Sequence, residues 1–109
     1  MSFNIQVVQY PEVLDTNKAA QFYREIQNFI EAGVNIVLID LKNVTLINSY
    51  GLMALVEAFR AVESAGGKLF ICSMNEQARI LFELTGLDQV FNTFVNLEEF
   101  TATVSLTAS

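Results

Sequence analysis

The residues best suited to chemistry form one short segment, Asn48-Ser49-Tyr50-Gly51, between an apolar run and a predicted helix. Ser49 would lie beside the free amides of the helix N-terminus, where amide donors and the helix dipole favour a phosphate. Gly51 in a first helical turn costs up to about 1 kcal/mol relative to Ala, which indicates close approach of another group to the backbone. The simpler alternative for Ser49 is an ordinary helix cap.

The rest of the sequence offers little for catalysis. It has no His, which removes the commonest general base and metal ligand, and its single cysteine, Cys72, excludes CxxC motifs. Asp40 ends an apolar run and is interpreted as a structural carboxylate that accepts hydrogen bonds from loop amides. The sequence therefore predicts no catalytic residue, no cofactor, no metal site and no enzyme activity.

The charge of the chain narrows its partners. Twelve acidic and six basic residues give a formal net charge of −6. Such a surface repels nucleic acid and anionic lipid, which leaves protein partners or a small molecule. The sequence lacks an apolar run of the roughly 18 to 20 residues that a membrane span needs, and its N-terminus lacks a signal-peptide pattern. We expect a cytoplasmic protein that binds no nucleic acid and does not insert into membranes.

Alternating strand and helix patterns predict one α/β domain over residues 1–109, with a structured core at 3–104 and a loose tail at 105–109. Such alternation requires right-handed crossovers and gives a mixed, mostly parallel sheet packed with helices. Whether the helices cover one face or both is left open. Residues 12–14 are interpreted as a short edge strand beside Pro11.

Two apolar runs are expected to form the middle of the sheet. Residues 34–41 are nearly continuous in β-branched and other apolar side chains, which predicts a central strand buried on both faces. Lys68–Cys72 has the same character and is expected beside it. Ser73 and Glu76 then have the spacing of a capping box that opens the next helix.

The helix that begins near Ser49 is predicted to have an apolar face and an exposed face. Residues at helical spacing form the apolar stripe: Leu52, Leu55, Val56, Phe59 and Val62. Met53, Glu57 and Arg60 lie off this stripe. We therefore predict a partner-binding surface around the helix start that comprises Asn48, Tyr50, Met53, Glu57 and Arg60, with a mobile loop at residues 42–45 beside it.

The same segment carries a family resemblance. It resembles the STAS family, which includes bacterial anti-sigma-factor antagonists. The family's buried strand resembles Val37-Leu38-Ile39-Asp40-Leu41, its apolar spacer resembles Val44 and Leu46-Ile47, and its helix start resembles Asn48-Ser49-Tyr50-Gly51-Leu52. Gly66-Gly67-Lys68-Leu69, Leu84-Thr85-Gly86-Leu87 and Leu14-Asp15 resemble its other landmarks. The similarity covers residues 3–100. Asn48 stands where the family has an acidic residue, Tyr50 where it has Ser or Thr, and Pro11-Glu12-Val13 where it has Gly.

The resemblance implies a STAS fold and a function. It makes Ser49 the phosphorylation site, with a kinase-type anti-sigma factor as partner and a phosphatase that restores the serine. The unmodified form would bind the anti-sigma factor and free sigma. Asp40 and Gly51 would be structural at this site. Two alternatives stay open: a STAS adaptor that never uses phosphate, and a small-molecule or nucleotide sensor with its pocket at the strand ends. The oligomeric state also stays open.

Overall fold

The computed structural model of the chain describes residues 5–10 and 16–108. Within these residues four strands alternate with four helices, as predicted for an α/β domain. The strands are β1 (Ile5–Gln9), β2 (Ile36–Asp40), β3 (Lys68–Cys72) and β4 (Asn92–Phe94). The helices are α1 (Thr16–Glu31), α2 (Ser49–Ser64), α3 (Glu76–Thr85) and α4 (Leu97–Ala108), and a 3₁₀ turn spans Leu87–Gln89. The predicted edge strand at 12–14 lies outside the described residues.

The sheet follows the order of the chain. All four described strands are parallel, and their order is β1-β2-β3-β4. β2 is therefore central with β3 beside it, as the two apolar runs predicted, and every residue of β2 is buried. Each crossover joins neighbouring strands, so the usual right-handed connection puts α1, α2 and α3 on the same face of the sheet.

The two faces of the sheet bury separate apolar clusters. Val37 and Ile39 of β2 point to the larger cluster, where α1, α2 and α3 contribute side chains such as Leu55. Leu38 points to the opposite face, where it packs with Phe100 of α4. The helices are thus split three to one, which answers the question that the sequence left open.

The buried face of α2 differs in part from the predicted stripe. Leu55 and Val62 are buried as predicted. The other buried positions belong to small residues, namely Gly51, Ala54 and Ala58. The remaining members of the predicted stripe are half-buried at its border: Leu52, Val56 and Phe59. Small side chains let the helix approach the sheet closely, and the larger ones then fill its flanks, which apolar spacing alone does not reveal.

Two terminal features of helices correct the sequence interpretation. The N-cap of α3 is Asn75, whose Oδ1 accepts a hydrogen bond from the Ala78 amide at 2.9 Å. Ser73 instead adopts a left-handed φ of 64° in the turn after β3, so the predicted capping box is wrong. The predicted tail begins inside a helix, because α4 continues to Ala108. No Gly or Pro in this stretch interrupts the helix, and Ser109 lies outside the described residues.

Candidate regulatory site at the start of helix α2

Ser49 is the first residue of α2, and Asn48 before it is the helix cap. Asn48 has extended backbone angles, and its Oδ1 accepts a hydrogen bond from the Gly51 amide at 2.8 Å. Its carbonyl oxygen accepts the Leu52 amide at 3.0 Å. Ser49 is exposed, and its hydroxyl makes no hydrogen bond with any described residue. The alternative that Ser49 is the cap is therefore wrong, and its hydroxyl is available for modification.

The amides around Ser49 are suited to a negative charge. Those of Gly51 and Leu52 are bonded to Asn48, whereas those of Ser49 and Tyr50 make no hydrogen bond within the described part of the chain. Two free donors and the positive end of a 16-residue helix lie beside the Ser49 hydroxyl. This arrangement can accept and stabilise a phosphoryl group, although it supplies no base to activate a nucleophile.

Gly51 lies against the side chain of Tyr10, the residue that follows β1. A Cβ atom at Gly51 would enter the contact radius of the Tyr10 hydroxyl. Tyr10 is only 2% exposed, and its ring packs against Phe22 edge to face with centroids 5.4 Å apart. Its hydroxyl has no hydrogen-bond partner among the described residues, and burial raises its pKa. The close approach that Gly51 predicted is present, and the approaching group is Tyr10.

The loop between β2 and α2 is anchored from α3. The Asn75 side-chain amide donates to the carbonyl oxygens of Val44 and Thr45, both at 3.1 Å. The Gln77 Oε1 accepts the Ile47 amide at 3.3 Å. Val44 and Ile47 are also buried in the core, at 5% exposure each. The loop predicted to be mobile is thus tied down at residues 44, 45 and 47, because α3 supplies the polar groups that its backbone needs.

Asp40 has the structural role predicted for it. It is 3% exposed at the end of β2. Its Oδ1 accepts the Lys42 amide at 3.0 Å, and its Oδ2 accepts the Gln9 side-chain amide, also at 3.0 Å. Asn43 in turn donates to the Gln9 Oε1 at 3.3 Å. Both carboxylate oxygens are therefore used to join the ends of β1 and β2 to the first residues of the loop.

The predicted partner-binding residues share the outer side of α2. Tyr50 and Met53 are 58% and 54% exposed, and Glu57 and Arg60 are exposed further along the helix. Their spacing of three, four and three residues places all four on one stripe. Asn48 is exposed at the cap. The structure thus brings all five predicted residues onto one surface next to Ser49.

Sequence reasoning missed the groups that hold this surface. The prediction did not include Tyr10, which contacts Gly51, or Asn75 and Gln77, which bind the loop from the start of α3. It also did not include the side chains of α1 that face α2. Asn75 offered a signal, since it is a cap-type residue three positions before Ala78. The others meet the site only through packing between distant parts of the chain.

The described residues contain no group of three or more His, Cys, Asp or Glu side chains that could hold a metal ion. Cys72 is buried, and burial raises the pKa of its thiol; the hydrogen bond with Ser73 opposes this shift, whereas the nearby charge of Asp40 adds to it. None of the helices in the described ranges is both long and apolar enough to cross a bilayer.

Comparison with known proteins identifies relatives of the whole domain. The sequence model of the STAS domain matches residues 3–100. A candidate anti-sigma factor antagonist of Thermotoga neapolitana is 30% identical over 71 residues, which are 65% of this chain and 63% of that protein. The match therefore spans less than two thirds of the relative's own length.

Solved structures agree on the fold. The crystal structure of a candidate anti-sigma factor antagonist from Thermotoga maritima has a TM-score of 0.83 at 24% identity, over 94% of this chain and 88% of that one. The phosphorylated form of SpoIIAA, a Bacillus cell fate determinant, has a TM-score of 0.73 at 19% identity, over 94% and 93%. At these identities the likeness concerns the fold alone.

Proposed function

Because the chain belongs to the STAS domain family, we propose that it is a phosphorylation-controlled anti-sigma-factor antagonist with Ser49 as the phosphate acceptor. The observation that carries this proposal is the exposed, unbonded hydroxyl of Ser49 at a helix start whose cap is another residue. Its partners would be a kinase-type anti-sigma factor in the cytoplasm and a phosphatase. The names of the relatives support the class, and the phosphorylated SpoIIAA structure supports this mode of control.

A phosphate on Ser49 would be tolerated inside the domain. It adds about 1.5 to 2 negative charges. The free amides of Ser49 and Tyr50 and the α2 dipole favour that charge by typically about 0.3 to 1 kcal/mol, and by about 2 in favourable geometry. Asn48 keeps the Gly51 amide bonded throughout. The phosphorylated protein should therefore keep its fold.

The partner would experience the opposite effect. An interface shaped around a neutral serine would have to bury an uncompensated charge, which costs several kcal/mol. This cost exceeds the stabilisation within the domain. Phosphorylation would therefore release the anti-sigma factor without unfolding the antagonist. Tyr50 and Met53, both more than half exposed beside Ser49, would lose their partner contacts at the same time.

The test is phosphorylation by the ATPase-domain kinase that co-purifies with the protein from its native host. Wild type, Ser49→Ala and Ser64→Ala would be incubated with this kinase and ATP and then weighed. Ser64 is a matched control, because it is an exposed serine at the other end of the same helix. We expect one phosphate on wild type and on Ser64→Ala and none on Ser49→Ala. Ser49→Asp should keep the circular dichroism spectrum of wild type and lose the kinase.

Two results would replace this proposal. Equal phosphate on all three proteins, or none on any, would remove Ser49 as the switch and favour a STAS adaptor that works without phosphate. A small-molecule sensor is the second candidate. It is favoured by an open cleft of about 620 Å³ at the carboxyl ends of β1 and β2, which Gln9 and Asn43 line. A melting temperature that rises with added nucleotide would support it.

A further inference from the structure

A groove runs along the surface between α1 and α2. It has two halves of about 500 and 650 Å³, and both are lined by Tyr23 and Glu57, so the halves are continuous. Small side chains leave this space open: Ala19, Ala20, Ala54 and Ala61. One end of the groove lies at Tyr50 and Met53, next to Ser49. The outer stripe of α2 is therefore one wall of a longer surface, whose other wall is α1.

The charged side chains that line the groove are two arginines and one glutamate, Glu57, which lines both halves, so the groove carries a net positive charge in spite of this carboxylate. Arg24 lines the half nearest Ser49, and Arg60 lines the other half. Both are exposed, and neither has an ion pair or hydrogen bond with the described residues. By contrast, Arg79 on α3 is held by two glutamates at 3.3 and 3.0 Å. In a chain with six basic residues and a net charge of −6, two free arginines in one groove mark a site for acidic groups.

The walls of the groove also limit the form of its occupant. Both walls are helices, whose backbone amides and carbonyls are used internally, so no free strand edge is present to pair with an extended peptide. An amphipathic helix needs no such edge, because it places an apolar stripe into a groove. Exposed Tyr and Met side chains flanked by Arg are of the kind that contributes most to such interfaces.

We infer that the α1–α2 groove binds an acidic amphipathic helix of the partner protein. Its apolar side chains would pack on Tyr23, Tyr50 and Met53, and its carboxylates would pair with Arg24 and Arg60. The identity of this partner as an anti-sigma factor rests on the proposed function, whereas the chemistry of the groove does not. The interface extends from α2 onto α1, which no motif in the sequence indicates.

This inference gives the switch an electrostatic component. Arg24 lines the half of the groove that ends at Tyr50, beside Ser49. A phosphate on Ser49 would compete with the partner's carboxylates for this positive end of the groove and repel them directly. Release would then depend on charge as well as on shape, and it would weaken as salt screens the repulsion.

The test uses two synthetic helical peptides of about 18 residues with the same leucine stripe, one with Glu and one with Lys on its polar face. Each is titrated into the full-length protein while backbone amide chemical shifts are recorded. The acidic peptide should change the chemical shifts of α1 and α2 amides up to a saturating value, although the net charge of the protein favours the basic peptide. Arg24→Glu and Arg60→Glu should each lower the affinity for the acidic peptide roughly three- to tenfold.

Matched variants control for net charge and for bulk. Lys68→Glu makes the same change in charge at an exposed residue of β3, and it should alter affinity less than about twofold. Ala20→Tyr fills the groove at an exposed position and should abolish binding, whereas Ala102→Tyr, exposed on α4, should not. Tighter binding of the basic peptide, shifts confined to other elements, or equal loss in Lys68→Glu would overturn the inference. None of these results depends on whether a kinase modifies Ser49, so the two proposals fail separately.

Discussion

Replacing Gly51 by Ala tests whether the start of α2 is set by its contact with Tyr10. The new methyl group would meet the Tyr10 hydroxyl, the Asn48 Oδ1 at 3.4 Å and Ile47 at 3.4 Å. The last two distances are ordinary contacts, so the Tyr10 hydroxyl is the only severe overlap in this set. Tyr10 cannot swing away without cost, because it is 2% exposed and packed against Phe22.

Two opposing effects set the size of the change. Overpacking a well-packed site costs about 1 to 3 kcal/mol. Replacing Gly by Ala in a helix returns up to about 1 kcal/mol. Overpacking is the larger effect, so Gly51→Ala should lower the free energy of unfolding by about 1 to 2 kcal/mol. For a chain of this size, that corresponds to a melting temperature lower by roughly 5 to 10 °C.

Tyr10→Phe supplies the decisive comparison. It removes a buried hydroxyl that has no partner in the described residues, so alone it should be neutral or stabilising by up to about 1 kcal/mol. It also removes the atom that the new methyl group would strike. In the Tyr10→Phe background, Gly51→Ala should therefore cost less than about 0.5 kcal/mol or become stabilising. The coupling between the two sites should be about 1 to 2 kcal/mol.

Urea denaturation of the four proteins measures this coupling, and Gly67→Ala is a matched control. A Cβ atom at Gly67 would meet the Asn35 carbonyl oxygen at 2.7 Å, a backbone contact that Tyr10→Phe does not relieve. Gly67→Ala should therefore cost the same in both backgrounds. If the Gly51 and Tyr10 changes add to within about 0.5 kcal/mol, the argument that Tyr10 sets the position of α2 is refuted.

Two further predictions follow from the same contacts. Asn75→Ala removes a helix cap and two hydrogen bonds to loop carbonyls, so it should lower the free energy of unfolding in urea by about 2 to 3 kcal/mol. Asn96→Ala removes only the cap of α4 and should lower it by about 1 kcal/mol. Equal losses in the two variants would mean that the loop is held by other contacts. Burial raises the Tyr10 pKa above its ordinary value of 10.0, so the unfolded chain releases this proton first. Stability should fall as pH rises above 10, by up to about 1.4 kcal/mol per pH unit. Between pH 9 and 11, the melting temperature of Tyr10→Phe should fall less steeply with pH than that of wild type. The same pH dependence in both proteins would contradict this prediction. Cys72, whose pKa is also raised, contributes equally to both proteins.

The parts of the fold that local sequence controls were predictable. The continuous apolar run ending at Asp40 identified the central strand, and Asn48-Ser49 marked the start of α2 within one residue. Gly51 even signalled that another group approaches the helix there. Each of these features depends on neighbours in the chain, so its pattern is visible without the structure.

The parts that depend on distant contacts were not predictable. Nothing near Gly51 in sequence indicates that Tyr10 is the approaching group. The loop at 42–45 was predicted to be mobile, because the side chain that binds its carbonyl oxygens, Asn75, lies 30 and 31 residues away in sequence. Ala54 and Ala58 belong to the buried face of α2 only because α2 lies close to the sheet. Predicting these features requires the packing of helices, which apolar spacing does not determine.

The anchoring of the loop by α3 also sets an order of events during protein synthesis. Because the strands follow chain order, β1, α1 and β2 can assemble as they leave the ribosome. The side chains that hold the loop arrive about 30 residues later, roughly 2 to 6 s at ordinary rates of translation. Until then Ser49 follows an unanchored segment. A kinase that recognises the fixed start of α2 would therefore act on finished chains and pass over nascent ones.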